Sequence, residues 1–112
     1  MAHYLFQVAY TPQAWASLIK NPHDRIEIVR PVLRKLGGDI EVSYLAFGDY
    51  DVVGIMHLPS NVEAAAFSLA ATAGGAIKSI KTTPLMTIAE GIEAMKKAAA
   101  SGYAPPTAVA GV

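Results

Sequence analysis

The 112-residue chain weighs 11.8 kDa, enough for one domain around one core. It has no cysteine, which excludes disulfides, thiolate zinc sites, iron–sulfur clusters and a cysteine nucleophile. Nine basic and nine acidic residues cancel, and 53% of residues are hydrophobic against 16% charged, so the composition speaks for a folded chain, against nucleic acid as main partner, and for apolar surface that meets another subunit.

His3 to Tyr10 is aromatic and β-branched and predicts a strand. Thr11-Pro12 reads as an N-cap followed by proline at the first helical position, opening a short helix to about Lys20. Asn21-Pro22 repeats that start, with Asp24 in the first turn. Ile26, Val29, Val32, Leu33 and Leu36 then form a helical stripe that stops at Gly37-Gly38. Pro31 lies inside it and predicts a bend or break.

Asp39 to Phe47 predicts a second strand, Gly48 to Asp51 a tight turn and Val52 to Leu58 a third strand, together an antiparallel hairpin. Ser60 to Glu63 fits a capping box opening an alanine-rich helix to Ala73, whose small residues allow close approach to a sheet. Ala76 to Thr83 predicts a fourth strand, interrupted at Pro84, with Lys78 and Lys81 suited to an edge. Thr87 to Glu90 is a second capping box, and the last helix runs to about Ala100. Residues 1–100 are therefore one domain, and Ser101 to Val112 is expected to be a loose tail or an arm lying on a partner.

No apolar run approaches the roughly 20 residues of a membrane span. No basic segment followed by an apolar one opens the chain. A cytoplasmic protein without a membrane partner is expected.

The order strand, helices, strand, strand, helix, strand, helix is the ferredoxin-like split βαβ pattern: an α+β domain with a four-stranded antiparallel sheet and helices on one face. Alternation sends Tyr4, Phe6, Val8 and Tyr10 toward the helices. If Phe6 opposes Gly54, then His3 opposes His57 and Tyr10 opposes Tyr50. The helix-free face then carries Leu5, Ala9, Val53 and Ile55, joined by Ile40, Val42, Tyr44 and Ala46 from the hairpin. Several hundred Å² of bare apolar sheet represents about 10 kcal/mol of unused burial. A second sheet packed face to face is the expected cover, giving a homodimer or larger assembly.

The segment Phe47-Gly48-Asp49-Tyr50-Asp51-Val52-Val53 resembles the signature of the GYD domain family, with its Gly-x-Tyr-Asp turn. The resemblance spans about the first 90 residues. It also rests on Thr11 after the first strand, Arg25, Gly37, Pro59 with Glu63, Gly75 and Glu90. It implies a ferredoxin-like domain similar to the dimeric α/β-barrel proteins, and it implies no particular activity.

Candidate chemistry gathers in three places. Asp49, Tyr50 and Asp51 put carboxylates and a phenol at a turn, with Tyr50 and Asp51 as candidate catalytic groups; the alternative is a turn held by its own backbone bonds, with Gly48 supplying an unusual backbone angle. His3 and His57, paired across strands near Gln7, offer two imidazoles as metal ligands or, through His57, an acid–base group. Half-exposed strand-end histidines are the alternative. Tyr10, Trp15, Asp49 and Arg25 are candidate ligand-binding residues around an aromatic pocket between the first helix and the sheet, to which Tyr4, Phe6, Tyr44, Phe47 and Phe67 can contribute. The alternative is plain core. Arg25, Arg30 and Arg34 lie near helical spacing, able to clamp a carboxylate or simply to face solvent.

The sequence thus points to a small-molecule-binding protein or a cofactor-independent enzyme with a cleft between sheet and helices. An assembly module without a site and a histidine-based metal protein are the alternatives. No phosphate loop, dinucleotide fingerprint or Gly-x-Ser-x-Gly elbow is present, and no cofactor is specified.

Overall fold

The computed structural model describes residues 1–106. Alternation organises the first strand, β1 (Ala2–Tyr10): Tyr4, Phe6 and Val8 are buried, while His3, Leu5 and Gln7 lie half-buried on the opposite face. Thr11 caps α1 (Pro12–Lys20), its hydroxyl accepting the Ala14 N–H at 3.1 Å. Asp24 caps α2 (Arg25–Lys35) through the N–H groups of Ile26 and Glu27.

Helix α2 runs through Pro31 without a break. Leu33, fully buried just beyond the proline, and half-buried Ile26 and Val29 before it pin both halves of the helix to the core. This burial offsets the lost backbone bond. The helix stops as expected at Gly37, whose φ of 91° favours glycine; Gly37 N–H donates to Arg34 O and Gly38 N–H to Leu33 O.

Strands β2 (Asp39–Leu45) and β3 (Val52–Leu58) form the hairpin, closed by the Ala46 N–H donating to Asp51 O at 2.8 Å. Strand β2 ends before Phe47. Gly48 does not adopt a positive φ, so the turn does not use glycine's freedom there. Helix α3 (Asn61–Ala73) is capped by Ser60, whose hydroxyl accepts the Val62 N–H and donates to the Glu63 carboxylate, so the expected reciprocal capping box does not form. Strand β4 (Ile77–Leu85) continues through Pro84, against the expected interruption. It is an edge strand, where one missing N–H is tolerated. The capping box that opens α4 (Ile88–Ala100) is complete: Thr87 Oγ1 accepts the Glu90 N–H and Glu90 Oε1 accepts the Thr87 N–H.

The sheet order is β2-β3-β1-β4 with every neighbour antiparallel, the ferredoxin-like arrangement. Helices α2 and α3 cover one face, and Tyr4, Phe6, Leu33, Met56, Leu58 and Phe67 form the heart of the core. Polar ties join the helices to the sheet: Ser68 Oγ lies 2.9 Å from Thr82 Oγ1, and Arg30 donates to Asp39 at 2.8 Å. The β1–β3 register places Phe6 opposite Gly54 and His3 opposite His57, as expected. A Cβ at Gly54 would lie 2.6 Å from the Phe6 ring, so the glycine makes room for the aromatic side chain. The ladder ends at Val8–Val52, short of the expected Tyr10–Tyr50 pair.

A register shift between Ile40 and Val42 corrects one face assignment. The irregularity turns Ile40 into the helix-covered core, where it is buried beside Met56, and leaves Val42 and Tyr44 on the bare face opposite Ile55 and Val53.

Helix α4 buries none of its residues. The radius of gyration is 18.7 Å and the longest extent 64 Å, against about 13 Å expected for a compact domain of this length. The expected tail begins with exposed residues 101–106; the rest of it, 107–112, lies outside the described residues.

Candidate functional site

Asp51 joins three elements at one end of the sheet. Its Oδ2 accepts the backbone N–H of Tyr10 at 2.8 Å and the indole N–H of Trp15 at 3.2 Å. Its own N–H donates to Val8 O at 2.7 Å. One carboxylate oxygen therefore extends the β1–β3 ladder and ties α1 to the hairpin. The Tyr10 and Trp15 rings meet edge to face, with centroids 5.5 Å apart and planes at 89°. Tyr50 is half-buried and Asp49 exposed, and neither lines a cavity.

Two cavities meet at Tyr10 and Arg25. The inner one, about 260 Å³, lies between the sheet and the splayed start of α2 and end of α3. Phe6, Val8, Val29, Phe67 and Ile80 form its walls, and Ala70, Ala71 and Gly74 leave its far side open where larger side chains would fill it. The alanine run of α3 thus creates space here rather than close contact. Among the described residues, Tyr10 and Arg25 carry the only polar side chains of the lining, with no carboxylate or imidazole. The outer groove, about 620 Å³, runs between α1, the loop before α2 and the end of β2; Trp15, Leu18, His23, Asp24 and Tyr44 line it.

Burial raises the Tyr10 phenol above its ordinary pKa; the Arg25 charge pulls it back and the Asp51 charge pushes it up again. Arg25 makes no ion pair or hydrogen bond among the described residues. Arg30 and Arg34, by contrast, both hold Asp39, at 2.8 and 3.1 Å. The carboxylate clamped by two of the three expected arginines belongs to the protein itself. The Ile40 N–H and these two guanidinium groups hold the Asp39 carboxyl below its ordinary pKa.

The helix-free face brings His3 and His57 together, with ring centroids 6.2 Å apart. Glu41, which sequence reasoning did not single out, stands between them: one oxygen lies 2.8 Å from His3 Nδ1 and 3.2 Å from His57 Nδ1. The register shift beside Glu41 brings it there, and the sequence gives no sign of it. Among the described residues, no three His, Cys, Asp or Glu side chains are arranged to hold a metal ion. His57 lies across the sheet from the cavities and lines neither.

Of the expected aromatic set, Tyr10, Phe6 and Phe67 reach the inner cavity, Tyr10, Trp15 and Tyr44 the outer groove; Tyr4 is core and Phe47 is fully exposed. The Tyr4 hydroxyl donates to Asn61 Oδ1 at 2.6 Å, which satisfies it within the core.

The GYD domain family model matches residues 4–95. The chain belongs to the GYD domain family. No curated protein and no solved structure matches it significantly. In this GYD domain the signature residues divide their work: Asp51 is the acceptor that joins β1, α1 and the hairpin, while Tyr50 and Gly48 belong to the connection. The match takes in the Tyr10–Arg25 junction and ends within α4. No helix of the described residues is long and apolar enough to cross a membrane.

Proposed function

We propose that this GYD domain binds a small, largely apolar molecule in the cleft between its sheet and helices α2 and α3. The observation that carries the reading is the inner cavity of about 260 Å³ with apolar walls and a polar mouth at Tyr10 and Arg25. An assembly module without a site would fill this cleft with its own side chains. Trp15 and Leu18 extend the binding surface into the outer groove. Tyr50 and Asp49 have no part in it. Asp51 acts by positioning Tyr10 and Trp15.

The domain works as a homo-oligomer in this reading, in the cytoplasm. Leu5, Val42, Tyr44, Val53 and Ile55 form an apolar surface on the helix-free face, and a second sheet packed on it supplies the missing burial.

Thermal-shift measurements with neutral apolar probes such as octanol and 2-phenylethanol test the binding. Both raise the melting temperature of the native chain. Ala71→Leu, which fills the cavity, raises it without probe and abolishes the response. An Ala71→Leu variant that still responds, or no response from the native chain, overturns the reading. Sedimentation velocity tests assembly: a dimer is expected, and Val53→Lys splits it. A monomer at micromolar concentration removes that part.

A further inference from the structure

Arg25 is placed where a local structural role does not explain it. It occupies the first position of α2, where the helix dipole disfavours a cation. No acidic side chain among the described residues pairs with it, although Asp24 precedes it; the Asp24 carboxylate is committed to the N–H groups of Ile26 and Glu27. Arg25 nevertheless lines both cavities and, among the described residues, is the only charged residue in the lining of the inner one. A cation at the mouth of an apolar cavity, without a partner of its own, complements an anionic head on an apolar body.

We propose that the inner cavity takes a small monocarboxylate, its apolar body between sheet and helices and its carboxylate at Arg25 and the Tyr10 hydroxyl. The inference rests on the binding function above and adds the charge of the ligand. An apolar cavity of about 150 Å³ holds benzene. The 260 Å³ found here therefore accommodates a substituted ring or a chain of roughly six to eight carbons. The guanidinium offers paired N–H donors that match the two carboxylate oxygens. The phenol, neutral at pH 7, adds a third donor.

Isothermal titration of the full chain with octanoate, octanol, phenylacetate, 2-phenylethanol and acetate tests the proposal. Octanoate is expected to bind at least tenfold more tightly than octanol, and phenylacetate more tightly than 2-phenylethanol. Acetate, lacking the body, shows no measurable binding. Arg25→Gln brings octanoate to within about twofold of octanol, and Arg25→Lys retains part of the preference. Ala71→Leu abolishes binding of both. Chemical-shift changes on octanoate binding concentrate at Phe67 and Ile80. Arg25 is exposed, and its variants are checked for native circular dichroism and melting temperature. Equal affinity for octanoate and octanol overturns the carboxylate assignment while leaving the apolar cleft standing. Acetate binding as tightly as octanoate, or Arg25→Gln leaving the preference intact, also overturns the assignment. Failure of all five probes overturns the binding function itself.

Discussion

The Trp15 indole N–H reaches the Asp51 carboxylate at 3.2 Å, across 36 positions of sequence. Together with the Tyr10 N–H at 2.8 Å, it makes one side chain the joint between β1, α1 and the hairpin. Asp51→Ala leaves two half-buried N–H groups, of Tyr10 and Trp15, without their acceptor and is expected to cost about 1–3 kcal/mol. Asp51→Asn keeps a neutral acceptor and costs less. Trp15 is the only tryptophan, so its emission in a urea titration reports both the stability loss and a red shift as α1 loosens. Unchanged emission and midpoint in Asp51→Ala would refute the joint.

Gly54 is a matter of space. A methyl there collides with the Phe6 ring and the Val42 carbonyl oxygen. Gly54→Ala is expected to destabilise by about 1–3 kcal/mol through overpacking, measured as a shift in denaturation midpoint. The double variant Gly54→Ala with Phe6→Leu, which trims the clashing ring, loses less than the sum of its parts.

Acid stability depends in part on Asp39. Its carboxyl is held below the ordinary value first by the Ile40 N–H, with Arg30 and Arg34 adding to it. The stabilisation is complete above the unfolded carboxylate range and is lost as pH falls through the lower folded value, below about pH 4. Asp39→Asn is expected to flatten the stability profile in that window. Glu90, lowered chiefly by the Thr87 N–H, adds a similar acid loss confined to the start of α4.

Tyr10 gives the opposite sign. Burial raises its phenol above the ordinary 10.0, so the neutral form is favoured when folded. Its contribution is present below about pH 10 and falls away as pH rises. The absorbance titration at 295 nm, taken as the difference between native chain and Tyr10→Phe, is expected to show the late-titrating phenol. Arg25→Gln removes the one influence that lowers it and moves the titration further up.

Most of the fold was readable because each signal was local. Proline at N1 after Thr11, the Thr87–Glu90 box, the Gly37 stop and the alternation of β1 depend on neighbours in sequence. The errors came where tertiary packing overrode a local rule. Pro84 is carried by its edge position, and Ile40 by a register shift that nothing in its segment announces. The site was half legible for the same reason. Aromatic residues at Tyr10 and Trp15 marked the region. The solitude of Arg25 and the void beside Ala71 emerge only once α2 and α3 are set against the sheet.

Helix α4 has no buried side chain of its own, and Ile88, Ile92 and Met95 lie exposed along it. A helix of 13 residues is marginal in water without tertiary support. Its amides are therefore a built-in gauge of occupancy. Hydrogen exchange over residues 92–100 runs near random-coil rates whenever this projecting segment stands alone, and slows by orders of magnitude when something grips it.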